Sequence, residues 1–230
     1  MSSPKSLLRL DLGVFFPFAP FPETGGDLRR RLGQERERIR RFNVAEIAFI
    51  VDLCRLPPHA IVAYAARCAR RVQPLFGRAG VSKELVVGVE RAIETAERIA
   101  TGHVLSVEDT GAAEAAEAAA TASVGNPAAH QAARAACFAA RAACAADQAP
   151  YAAAAFGGDA ERAAQAAATA AQDDPNAAAD AAHYADYAAR TDYERLVLLN
   201  RGAPPQGLPL HCSEDGPLGP LWPEGKPSWL

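Results

Sequence analysis

Between residues 111 and 190 about half of all positions are alanine. Alanine combines the highest helix propensity with the smallest apolar side chain, so the stretch is expected to form closely approaching helices rather than strands. It also weakens the driving force, because each buried alanine removes little apolar area from water. The larger apolar groups must compensate, and they concentrate between Phe42 and Val89. A length of 230 residues suits one domain, or one domain with terminal extensions. The expected fold is all-α, a single alanine-rich bundle of about eight helices over residues 27–200, with an extended arm at 1–26 and a Pro/Gly/Trp-rich tail at 201–230 strapped onto it.

Punctuation along the chain sets the expected helices. Asp27 caps a helix to about Arg41, and Asn43 opens a second, VAEIAFIVDLC, that is apolar on nearly every side. Pro57 and Pro58 start a third, which places Ile61, Ala65, Cys68, Val72 and Leu75 on one face and which Pro74 is expected to stop or kink near Phe76. Ser82 opens a fourth, with Glu94 facing Arg98 one turn on. Ser106 with Asp109 forms a capping box for a fifth that ends near Gly125. Asn126 followed by Pro127 begins a sixth. Gly157 and Gly158 mark a break before a seventh capped by Asp159, and Asp174 with Pro175 begins an eighth. The phenylalanines of VFFPFAPFP, Phe15 to Phe21, are expected to lie against the body, as are Trp222 and Trp229 of the tail.

The net charge of −3 conceals an asymmetry. Residues 1–100 carry 17 Lys and Arg against 11 Asp and Glu, whereas residues 101–230 carry 7 against 16. Such halves either attract each other inside the molecule or offer an acidic surface to a basic partner. Glu35 and Glu37 interrupt the arginine-rich run from Arg29 to Arg41 and the chain as a whole is acidic, which argues against nucleic acid as the partner. Five cysteines, Cys54, Cys68, Cys137, Cys144 and Cys212, form no CxxC pair and read as reduced core thiols. Asp11 and three prolines spoil an export signal at the N-terminus, and charged residues punctuate every alanine run, so no membrane span is expected. A cytoplasmic protein follows as the expectation.

No nucleophile, metal or phosphate motif stands out: GxxxxGKS, GxGxxG, HExxH and GxSxG are all absent. His130, Arg134, Cys137, Arg141 and Cys144 share one side of the sixth helix, but His130 and Cys137 are two turns, about 10 Å, apart, too far for direct proton transfer or shared metal ligation. Around the eighth helix, Asp173, Asp174, Asp180, His183, Tyr184, Asp186, Tyr187, Asp192, Tyr193 and Glu194 mix carboxylates with aromatic groups. That mixture suits a protein interface; the alternatives are an ordinary solvated face, with Asp186 pairing to Arg190, or acid–base chemistry. Asp180, Tyr184, Asp186 and Tyr187 are the candidate partner-binding residues, and no cofactor is called for.

From Ala66 to Ala171 the order of features, ARCARRVQPLF, then ERAIETAERIATG, SVEDTGAAEAAEAAATAS and NPAAHQAARAACFAARAACAAD, resembles a family of immunity proteins associated with bacterial toxin systems. The resemblance covers somewhat under half the chain, and CARRVQPLF with AIETAERIATG are its distinctive parts. It implies an all-helical, non-enzymatic protein that binds and neutralises a toxin, and it carries over no binding residues. A scaffold that self-associates through its alanine faces stands as the alternative function. An enzyme using the His130 to Cys144 stripe or the acidic cluster is a third.

Overall fold

Alanine-lined helices need neighbours that bring bulk, and the computed structural model supplies them from the helix Pro58–Arg78. The structure describes residues 53–148, 153–177, 180–204 and 207–230. Among these residues the fold is all-helical, with α1 (Pro58–Arg78), α2 (Lys83–Ala100), α3 (Ala112–Ala122), α4 (Pro127–Gln148), α5 (Ala153–Asp173) and α6 (Ala181–Leu199), plus one 3-10 turn at Val107–Asp109. The arm at 1–26, the helix expected at 27–41 and all but the end of the second expected helix lie outside the described residues. No helix among the described residues is long and apolar enough to cross a membrane.

Two helices form the hub. α4 packs against α1, α2, α3 and α5, and α1 packs against α2, α4, α5 and α6. Twelve residues of α4 are buried, eleven of them alanine, which lets four neighbours surround one helix at short interaxial distance. α1 brings the volume, with Ile61, Val62, Tyr64, Val72 and Phe76 fully buried. α6 lies on α5 and α1.

Local signals that no tertiary contact competes for behave as expected. Ser82 Oγ accepts from the Leu85 amide, and Asn126 Oδ1 accepts from the Ala129 amide at 3.1 Å. The Ser106–Asp109 box is present, but it closes the 3-10 turn, and α3 starts only after Gly111. Asp109 is occupied elsewhere as well, accepting from Thr95 Oγ1 at 3.2 Å and Arg98 at 3.0 Å. Arg98 therefore pairs with Asp109 rather than with Glu94.

Three expected boundaries are corrected. Pro74 lies inside α1, which continues to Arg78, because buried Leu75 and Phe76 hold the last turn and Arg78 is anchored by Asp174 and by the Trp229 carbonyl. Gly157 and Gly158 do not break α5, and Asp159 is not its cap. A Cβ at Gly157 would stand 2.7 Å from Cys54 Sγ, so that glycine serves close packing, while Asp159 pairs with Arg162 at 3.1 Å. Asp174 and Pro175 make a turn rather than a helix start: Asp174 Oδ1 accepts from the Asn176 amide, Oδ2 pairs with Arg78, and α6 begins at Ala181.

Attraction between the basic and acidic halves is realised inside the molecule. Arg67 and Arg71 pair with Asp192, Arg78 with Asp174, and Arg98 with Asp109, each joining the first hundred residues to the remainder. Between α1 and α2, Arg70 spans Glu90 and Glu97. Burial alone would lower the Arg70 pKa, but the hydrogen bonds to the two carboxylates raise it, so its charge is secure.

Candidate protein-binding surface

α6 is amphipathic in an unusual way, since its inner face is alanine and its outer face is acidic and aromatic. Ala181, Ala185, Ala188, Ala189, Asp192 and Leu196 are buried. At about 100° per residue, Asp180, Tyr184, Tyr187, Thr191, Glu194 and Leu198 fall on one outward stripe along the opposite side. Tyr184 is 37% exposed, Tyr187 45% and Leu198 58%. Asp180 precedes the first turn, and its carbonyl accepts from the Tyr184 amide at 3.0 Å.

The structure thus brings three of the four candidate residues, Asp180, Tyr184 and Tyr187, onto one stripe. Asp186 is also exposed but sits about a third of a turn away, on the side of His183 and Arg190. Desolvation raises the Asp186 carboxyl above its ordinary range, against the pull of Arg190 and His183. The expected Asp186–Arg190 contact stays at this longer range: no ion pair within 4.0 Å joins them.

Two members of the acidic cluster belong to the interior. Asp174 is buried, and Asp192 is fully buried on the inner face of α6. Arg67 Nε donates to Asp192 Oδ2 at 2.8 Å, and Arg71 donates to the same oxygen. Asp192 Oδ1 is buried with no hydrogen-bond partner. The other guanidinium donors hold the C-terminal segment and, through Ala188, the backbone of α6. Arg67 donates to the carbonyls of Cys212 at 3.0 Å, Gly219 at 3.0 Å and Pro220 at 2.8 Å, and Arg71 to those of Leu221 at 2.6 Å and Ala188 at 3.2 Å. Gly219 has a φ of +67°, a left-handed conformation that favours glycine and that turns its carbonyl toward Arg67. Leu218, Trp222 and Trp229 are buried, the two indoles meeting edge to face at 5.8 Å. Sequence reasoning missed this network because Arg67 and Arg71 look like surface residues. The available signal was their spacing of four, which places both on one side of a helix that is otherwise mostly apolar.

No family model, curated protein or solved structure matches this chain.

The alternative chemistries can be read on the same structure. Cys137 Sγ donates to Glu117 Oε2 at 3.1 Å, His130 Nδ1 contacts the Ala120 carbonyl at 2.8 Å, and burial pushes the Cys137 thiol up to about 12. A thiol so held is protonated at neutral pH and is a poor nucleophile. Cys68 and Cys212 are likewise raised by burial to about 12. Among the described residues no group of three or more His, Cys, Asp or Glu is placed to hold a metal ion. A groove of about 580 Å³ beside α2 is lined by Val87, Glu90, Arg91, Glu94, Arg98 and Glu108, among others, and mixes both signs of charge.

Proposed function

We propose that this chain is a non-enzymatic, cytoplasmic protein-binding module of immunity-protein type, which neutralises a basic toxin by covering it with the outward face of α6. The supporting observation is the exposed stripe of Asp180, Tyr184, Tyr187 and Glu194 on a helix whose inner face is pinned through Asp192 to two buried arginines. Tyrosines offer rigid contact area at small entropic cost, carboxylates steer a basic partner, and a helix already fixed needs little further ordering on binding. The finer architecture, eight helices with the tail as a strap that stiffens them, belongs to the same reading. Nucleic acid, membrane and cofactor have no part in it.

A scaffold self-associating through alanine faces is the weaker reading, because the alanines of α4 from Ala128 to Ala146 are buried within the chain itself. The test is a pull-down from the native host with mass spectrometry, followed by co-expression of the captured protein. The proposal expects one basic protein whose growth inhibition is relieved by co-expression. Recovery of only further copies of the chain, or inhibition that persists, would refute it.

A further inference from the structure

The stripe of α4 left uncovered between α3 and α5 carries charge of the opposite sign to α6. Phe138 lies one turn from Arg134 and one turn from Arg141, and α5 contributes Arg162. The three guanidinium carbons stand 5.4, 5.9 and 6.0 Å from the centre of the Phe138 ring, so three positive charges share a sphere of 6.0 Å radius. A ring quadrupole attracts each cation weakly and does not neutralise any of them. One carboxylate serves the group: Asp159 accepts from Arg162 at 3.1 Å and lies 3.8 Å from Arg141. Arg134 has no ion pair or hydrogen bond with the described residues, its contact being the ring. Glu117, on the neighbouring α3, accepts from the Cys137 thiol. The side chains of Arg141 and Arg162 are 52% and 57% exposed, so a solute can reach them.

Three guanidiniums around one ring with a single paired carboxylate present a local excess of positive charge, in a half of the chain that is otherwise strongly acidic, which an anion can complete. We propose that Arg134, Arg141 and Arg162 around Phe138 form a binding site for a phosphate-monoester dianion. Planar guanidinium forks match phosphate oxygens in pairs, and the half-buried Phe138 ring offers a flat apolar neighbour to whatever group the phosphate esterifies. The site is independent of the α6 surface, and neither proposal needs the other.

Equilibrium dialysis on the full chain, with inorganic phosphate and phenyl phosphate as separate probes and sodium chloride at matched ionic strength as competitor, tests it. The expected result is saturable 1:1 binding of a phosphate dianion that chloride does not abolish, weakened at least about tenfold in Arg134→Gln and in Arg162→Gln and unchanged in Arg201→Gln, an exposed arginine outside the cluster. Tighter binding of phenyl phosphate than of inorganic phosphate identifies an aromatic ester as the ligand, and equal binding identifies the phosphate alone. Absence of saturable binding to the wild type, or equal affinity in Arg134→Gln and wild type with both folded by circular dichroism, would overturn the proposal.

Discussion

Asp192 carries one negative charge between two positive ones, all three out of contact with water. Removing a buried counter-ion leaves its partners desolvated and unpaired, so Asp192→Ala is expected to cost about 3–5 kcal/mol, a large share of the roughly 5–15 kcal/mol that holds a domain together. Urea denaturation measures it, and a loss below about 1 kcal/mol would show that the pair contributes as little as a surface bridge does. Asp109 makes a different prediction. Desolvation would raise its pKa, but Ser106, Arg98 and Thr95 outweigh that and hold the carboxyl below its ordinary value. A depressed carboxyl contributes stability that is complete above the unfolded pKa of about 4 and is lost as pH falls through the folded value. Asp109→Asn should therefore lower stability at pH 7 and flatten its decline in acid, and parallel pH–stability curves for the two proteins would contradict this. The capping part of the Asp109 role was legible from Ser106 three residues before it, but its contacts with Thr95 and Arg98 were not. Asp192 was grouped with surface acids, and only its distant partners Arg67 and Arg71 distinguish it.

For the elements, helix starts at Ser82 and at Asn126 with Pro127 were legible because each cap acts on amides within its own turn. Asp159 is not a cap because α5 has already begun at Ala153 and runs through it, and Asp174 caps a turn instead, its second oxygen held by the distant Arg78, a partner that leaves no local pattern. The glycine pair of α5 separates propensity from packing. Gly158 has open space where a Cβ would go, so Gly158→Ala is expected to stabilise α5 by up to about 1 kcal/mol. Gly157→Ala must displace Cys54 Sγ and should be less stable than Gly158→Ala, and adding Cys54→Ala should recover the difference. Thermal denaturation of the four proteins decides the matter; equal midpoints for the two glycine variants would remove packing as the reason for Gly157.

At the scale of the molecule, alanine abundance announced an all-helical body, while the charge asymmetry left internal pairing and an acidic surface as alternatives, and ion pairs between the first hundred residues and the remainder realise the first. The candidate surface was legible in part: spacing alone puts Asp180, Tyr184 and Tyr187 on one stripe, yet the direction that stripe faces depends on Asp192 turning inward. The same inward turn pins α6, since moving it would break the contacts of Asp192 with Arg67 and Arg71 and of the Ala188 carbonyl with Arg71. A rigid acidic surface implies binding governed by charge as well as contact. The direct test immobilises the full chain and its Asp180→Lys/Asp186→Lys variant and measures retention of the basic partner from about 0.01 to 1 M salt, where the screening length falls from about 30 to 3 Å. Occlusion by the α6 face predicts strong retention by the wild type that weakens as salt rises, and little retention by the variant at any salt. Retention that is equal in both proteins and indifferent to salt would contradict it.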